Sequence, residues 1–235
     1  HTIQHNHSLL KLPGARLGEV EANPVRQDVE EIGQRMGVHF ALNAVLNQDK
    51  QIVNVLAGDP RLVMRQGVPL SRQVSQLAVT APYDLLVASP GGHPKDINLY
   101  QAQKGLAHAS QIVKPGGTLL LAAHCPEGSG SQSFESWMTG AASLDDVLER
   151  FAREEFRIGP HKGFLIARDA VKINLQFFSG MPPQAVRALH LTPVEHFQSA
   201  LNQALARLPQ GARIGILPHA SSTIPIITSP AALPA

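Results

Sequence analysis

Apolar residues recur at different periods along the chain, and the change of period divides it. Val25, Val29, Ile32 and Met36 return every three or four positions, the spacing that lines one side of a helix. Asn23 and Pro24 open this stretch and Gly37 closes it. The pattern predicts a helix over 24–36 with Asn23 as its cap. The β-rich runs 40–46 and 51–56 flank Asn47-Gln48-Asp49-Lys50, which predicts a hairpin with a four-residue loop. Helices are expected over 60–67 and 71–78. Thr80-Ala81-Pro82 reads as a boundary.

Beyond that boundary short continuous apolar runs alternate with helical stretches. Tyr83-Asp84-Leu85-Leu86-Val87-Ala88 stops at Ser89-Pro90-Gly91-Gly92, as a strand buried on both faces does. A helix is expected from a cap at Asp96 to about Val113, then a turn at Pro115-Gly116-Gly117 and a second buried strand over 118–123. A helix from Ser143 and Asp145 to about Phe156, a strand over 163–167, helices over 183–188 and 193–207, and a last strand over 214–217 complete the pattern, ahead of a Ser/Thr/Pro-rich tail. The chain is therefore expected to be α/β and two-domain, divided into 1–80 and 81–235. The later domain should be an open, mostly parallel Rossmann-like sheet with helices on both faces.

Composition narrows the function. The 235 residues carry 20 Lys plus Arg against 18 Asp plus Glu, so no dense basic face points to nucleic acid. The apolar share of 43% is that of a folded chain, and at 5% aromatic content aliphatic side chains must fill most of the core. The longest apolar runs, such as 119–123, fall far short of the roughly 20 residues that cross a bilayer. Cys125 is the single cysteine, which excludes an intrachain disulfide, argues against a thiolate metal cluster and suits the cytoplasm. The sequence opens at His1 with no apolar leader, and is expected to be a fragment of a longer protein.

Ligands on such sheets bind outside the carboxyl ends of the strands. The loop 89–96 contains Gly91 and Gly92, which permit close backbone approach and lead into a helix N-terminus that favours an anion. The same pair is also ordinary turn chemistry. The loop 124–131 is again rich in Gly and Ser. Neither loop carries a P-loop, a GxGxxG or a GxSxG signature. On the helix that follows the first loop, Gln101 and Lys104 are three apart and Tyr100 and Lys104 four apart, so they share a face. This face could hold a carboxylate or phosphate, or simply be solvated. Among 11 histidines, His5 and His7 share a face if extended, and His1 and His5 if helical. Imidazole suits Zn, Cu, Fe and Ni, and no HExxH motif occurs.

Taken in order, these residues resemble the nickel-dependent lactate racemase family of 2-hydroxyacid racemases and epimerases. The resemblance runs through most of the chain. It includes Thr2-Ile3-Gln4-His5-Asn6-His7, like the family's TIxxNH segment, then Asn23-Pro24-Val25-Arg26, Asp28, Asn43 to Asn47 and Gly58-Asp59-Pro60. The most specific stretch is 89–104, with Pro90-Gly91-Gly92, Pro94, Asp96 and Asn98-Leu99-Tyr100-Gln101-Ala102-Gln103-Lys104. Gly116-Gly117, the loop of Cys125, Glu127, Gly128 and Gly130, Trp137-Met138 and His161-Lys162 follow.

The resemblance implies racemisation or epimerisation of a short 2-hydroxy acid such as lactate by reversible hydride transfer to a nickel pincer nucleotide. It implies His7 as protein ligand to nickel and Lys104 as the catalytic amine near substrate. Tyr100, Gln101, Gly91, Gly92, Asp96 and Phe164 are implied to bind substrate or cofactor, Phe164 standing where the family has an aromatic. The tethering lysine, two acid–base histidines and a substrate-holding arginine fall before His1 in the family pattern. This chain is thus expected to work with a missing N-terminal half or an equivalent subunit. Two other readings stand beside this one. The runs 83–89 and 113–121 also look like later strands of a Rossmann-type S-adenosylmethionine methyltransferase. The chain could also be a noncatalytic ligand-binding remnant.

Overall fold

The computed structural model describes residues 2–228, and its contacts divide the chain into two units between Gln76 and Leu77. In the first unit, α1 (Thr2–Ser8) and α2 (Pro24–Arg35) precede a hairpin of β1 (Ala41–Leu46) and β2 (Ile52–Gly58), which leads to α3 (Pro60–Ser75). The Asn23 side chain accepts from the Val25 and Arg26 amides, as a cap should. β1 and β2 are antiparallel, with Ala41 opposite Gly58. Where two short helices were expected, α3 is continuous through Pro69. Proline forfeits one helical hydrogen bond, but α3 packs on both strands and buries Val63, so tertiary burial overrides the local break. The chain leaves α3 as the strand β3 (Gln76–Val79) instead of extending the helix to 78. Among the described residues, Val45 and Val63 are the buried hydrophobic side chains of this unit, while Phe40, Leu42, Val53 and Val55 are exposed.

The second unit continues through β4 (Tyr83–Ala88), α4 (Leu99–Ala109), β5 (Val113–Ala122), α5 (Gln132–Thr139), α6 (Leu144–Arg153), α7 (Pro160–Ala170), β6 (Asn174–Phe178), α8 (Pro183–Ala188), β7 (Thr192–Val194), α9 (Phe197–Ala206), β8 (Ile214–Leu217) and β9 (Ile224–Ile227). Five strands form one parallel sheet in the order β7-β6-β5-β4-β8, flanked by helices. β3 and β9 pair separately. Leu85, Leu86, Leu119, Leu120 and Leu121 are fully buried, as expected of strands covered on both faces. The α/β class and parallel sheet read from the sequence are thus observed.

Several boundaries differ. Residues 163–167 are helical, inside α7, and the strand of that region is β6. Gly159, at φ +106°, and Pro160 start the helix, and its short apolar run is a buried face that periodicity cannot distinguish from a strand. Gly116 and Gly117 lie within β5, where the pairing shifts register between Tyr83 and Leu85. Residues 192–194 are extended, and α9 begins only at Phe197. α5 had no counterpart in the sequence reading. His1 and the end of the tail, 229–235, lie outside the described residues. Among those described, no helix is long and apolar enough to cross a membrane.

The topology places the ligand-binding end. From β4 the chain steps through β5 and β6 to β7, then returns to lay β8 on the other side of β4. The reversal creates a crevice outside the carboxyl ends of β4 and β8, where open α/β sheets bind ligands.

Candidate functional site

The crevice is built from the loop after β4 and the segment after β8. The Ala220 amide donates to the Ser89 carbonyl at 2.8 Å and the Ser221 amide to the Pro90 carbonyl at 3.3 Å. Gly91 has φ +107°, and a Cβ there would lie 3.2 Å from His219 Nδ1. Gly92, at φ +73°, faces open space. Both glycines therefore serve the turn, and Gly91 also permits the close approach of His219.

The loop after β5 is stapled to the same end. Asp96 is buried; its carboxylate accepts from the His124 amide at 3.1 Å and its carbonyl from the Cys125 amide at 2.8 Å. Asp96 is therefore not the cap of α4. Asn98 takes that role, its Oδ1 accepting from the Gln101 amide at 3.0 Å while its Nδ2 donates to Glu127 at 3.1 Å. Burial, and then the charge of Asp96, push the Cys125 thiol up to about 12, so it is no nucleophile at neutral pH.

On α4, Gln101 and Lys104, two of the polar residues singled out by spacing, come together. Lys104 Nζ donates to Gln101 Oε1 at 2.9 Å. These two, with Pro94, Lys95 and Ser221, line a pocket of about 280 Å³. Tyr100 turns toward α7: its hydroxyl is 3.5 Å from His161 Nε2, and the two rings meet edge to face. The Gly159 amide donates to His161 Nδ1 at 3.1 Å, which places the imidazole proton on Nε2, pointed at the Tyr100 oxygen. Phe164 stacks on Phe151, centroids 4.4 Å apart, and no hydrogen bond or ring contact joins it to Tyr100, Gln101 or Lys104. His7 belongs to the first unit. Its Nδ1 donates to the Ile3 carbonyl at 2.9 Å, the kind of backbone contact that orients a metal-ligating imidazole. The neighbouring Asn6 donates to the Val25 carbonyl and to Asp28, both at 2.9 Å, tying α1 to α2.

The sequence reading passed over Lys162 as a site residue. Its Nζ donates to Gln103 Oε1 at 3.1 Å and lies 4.8 Å above the Tyr100 ring, an attractive arrangement for a cation. The signal was present in the His161-Lys162 pair, but only the fold shows that it faces α4. Burial, and then the charge of Lys104, push the Lys162 ammonium down to about 8 from 10.5. A shift of that size corresponds to about 3 kcal/mol. Below pH 8 the amine is charged both folded and unfolded, and the burial cost is borne in full. Between pH 8 and 10.5 the unfolded chain holds the extra proton, so this group makes unfolding free energy rise with pH. The burial-raised Tyr100 hydroxyl stays protonated through the lower part of that window. The urea midpoint should therefore gain from this residue between pH 7 and 9.5, and Lys162→Met should remove that gain.

A metal here has limited protein support. Among the described residues, no group of three or more His, Cys, Asp or Glu is placed to hold an ion. A single oriented imidazole, such as His7 of the first unit, is what a metal carried by its own organic ligand would ask of the protein.

Comparison with known proteins bears on the whole arrangement. Residues 78–225 match the family described as the lactate racemase C-terminal domain. The chain is 26% identical over 224 residues to a lactate racemase from Thermoanaerobacterium thermosaccharolyticum, covering 94% of this chain and 52% of that protein. It is 28% identical over 233 residues to one from Lactiplantibacillus plantarum, covering 95% and 54%. The structure of the T. thermosaccharolyticum lactate racemase apoprotein superposes with a TM-score of 0.89 over 95% of this chain and 55% of that one. A Thermotoga maritima structure at TM-score 0.60 and 14% identity shares the fold alone. The chain spans about half the length of the curated relatives it matches.

Proposed function

Because the chain belongs to the lactate racemase C-terminal domain family, we propose that it forms the later part of a racemase or epimerase acting on a short 2-hydroxy acid such as lactate. The observation that carries this reading is the pairing of Gln101 and Lys104 at the carboxyl end of the sheet, lining a small pocket in the crevice between β4 and β8. The stretches that look like a methyltransferase, 83–89 and 113–121, fall inside the residues matched to this family.

The chemistry sets what these residues must do. The hydrogen on the carbinol carbon is not acidic, because an adjacent carboxylate stabilises a carbanion poorly. Inversion by way of a planar 2-keto acid avoids that carbanion. A nickel pincer nucleotide, when bound, would supply the hydride-accepting chemistry that such a route needs. His7 would hold the nickel through Nε2. Lys104 would pair with the substrate carboxylate or polarise its oxygen, with Gln101 fixing the direction of the amine. Tyr100 would wall the site and Gly91 and Gly92 would bring backbone close to the ligand. Asp96 would act by pinning the two loops, and Phe164 through the packing of α7. The tethering lysine and acid–base histidines are assigned to the other half of the enzyme, or to an equivalent subunit. The apolar side chains that the first unit leaves exposed, Leu42, Val53 and Val55 among them, suit burial against such a partner. In this reading residues up to about 80 complete the cofactor-holding domain, 81–235 form the α/β domain, and the lone buried Cys125 suits the cytoplasm.

The test is to join the chain with the N-terminal half of a relative, load the nickel cofactor and follow enantiopure lactate by chiral chromatography. Convergence to equal enantiomers from either start is expected. Retention of enantiopurity by the loaded assembly would favour the noncatalytic remnant.

A further inference from the structure

We propose that Lys162 is a positioning residue: its buried ammonium clamps the Tyr100 ring between α4 and α7 and so fixes one wall of the substrate site. This rests on the reading that Tyr100 walls that site, and adds to it a residue that acts through the ring. The contacts come first. Lys162 Nζ lies 4.8 Å from the centroid of the Tyr100 ring and donates to Gln103 Oε1 at 3.1 Å. Tyr100 and Gln103 stand three apart on α4, so one amine grips two side chains of the helix that carries Gln101 and Lys104. The His161 ring meets the same tyrosine edge to face at 6.1 Å, and Phe134 of α5 does so at 6.4 Å. A ring that could pivot about its side-chain bonds is thereby held by its face and its edges.

The second observation is that this amine stands where an amine is unfavourable. Lys162 and Gln103 are both buried. Among the described residues, no carboxylate lies within 4.0 Å of the Lys162 amine. Lys114, by contrast, is paired with Asp84 at 2.7 Å. Lys162 also lies in the first turn of α7, the end of a helix whose dipole opposes a cation. Lysine is almost never buried without a partner charge. Residues that break local rules in this way concentrate at functional sites. The neighbouring Gly163 shows how the side chain is aimed. A Cβ there would lie 2.9 Å from Met138 Sδ and 3.0 Å from Trp137 Cδ1, so α7 lies tight against α5 while Lys162 is directed onto α4.

The third observation links the amine to the pocket. After burial, the charge of Lys104 is the cause that holds the Lys162 amine down at about 8, so the two amines sense each other. Tyr100 is only partly buried, and it adjoins Gln101, which lines the pocket with Lys104.

The test has two arms. Tyr83 and Tyr100 are the two tyrosines of the chain, so the ring signals of isotope-labelled tyrosine are assigned by NMR with a Tyr83→Phe variant. In the intact 235-residue chain, Lys162→Met keeps the length of the side chain and removes its charge. It should shift the Tyr100 ring signals and leave those of Tyr83 in place, with the thermal midpoint at neutral pH unchanged or raised. In the assembled, cofactor-loaded enzyme the same variant should lower kcat/KM for lactate about tenfold to a hundredfold, the scale of loss when a change away from the chemistry misplaces a site group. In a Tyr100→Leu background, adding Lys162→Met should lower kcat/KM by less than about twofold, because no ring remains to be held. Unmoved Tyr100 signals, or the full loss repeated in the Tyr100→Leu background, would overturn the assignment. A lowered midpoint with normal turnover would make Lys162 a structural lysine and overturn it equally. An inactive wild-type assembly would sink the racemase reading alone, and the tyrosine signals would still decide whether Lys162 holds the ring.

Discussion

Lys104→Ala, introduced into the assembled and cofactor-loaded enzyme, is expected to lower kcat/KM for lactate by about a thousandfold, the loss seen when one preorganised charge-stabilising donor is removed from an active site. The reasoning begins with placement. α4 starts at Leu99 because Asn98 caps it, and that start brings Gln101 and Lys104 onto the pocket side of the first turns. Lys104 is exposed, its amine is held by one neutral partner, Gln101, and among the described residues no carboxylate lies within 4.0 Å of it. An exposed side chain with a single neutral contact contributes little to folding, and its removal should change stability by less than about 0.5 kcal/mol. Activity and stability should therefore separate. Steady-state racemisation and a urea midpoint on the same preparation check both halves. Racemisation at the normal rate would remove Lys104 from the site.

His7→Ala should have the second large effect, on metal and not on fold. The imidazole sits near the end of α1, and its Nδ1–H is committed to the Ile3 carbonyl. Removing it deletes the nitrogen proposed to reach nickel while Asn6 continues to tie α1 to α2. Nickel retained by the purified, loaded assembly after dialysis should fall at least about tenfold, the order of loss that follows disturbance of a metal's ligand shell. Metal analysis by mass spectrometry gives the number directly. Full nickel occupancy in the variant would exclude His7 as ligand.

The fold was legible where local chemistry and burial agree. Asn23-Pro24 opened a helix in the sequence as it does in the structure, and the runs expected as strands over 83–88 and 118–123 lie in adjacent parallel strands, the second ending at Ala122. Legibility failed where tertiary packing overrode the local signal. Two helices were expected over 60–67 and 71–78 where α3, packed on β1 and β2, runs unbroken through Pro69. The run 163–167 has the length and polarity of a strand, yet the turn at Gly159-Pro160 commits it to helix.

The site follows the same division. Gln101 and Lys104 were legible because helical spacing alone puts them on one face, whereas Tyr100, which spacing also set beside Lys104, turns toward α7. Asp96 was misassigned as a cap because its partner, the His124 amide, is 28 residues away and only the fold delivers it. Lys162 was visible only as part of the His161-Lys162 pair. It matters because it is buried over a tyrosine ring, and that property arises only from contacts between distant segments.

The central claim is that the loaded enzyme holds its nickel through His7 of the first unit. Anomalous scattering at the nickel edge, from crystals of the loaded assembly, measures this directly. The account predicts one nickel peak bonded to the His7 imidazole. A peak bonded to another residue, with His7 away from the metal, would contradict it.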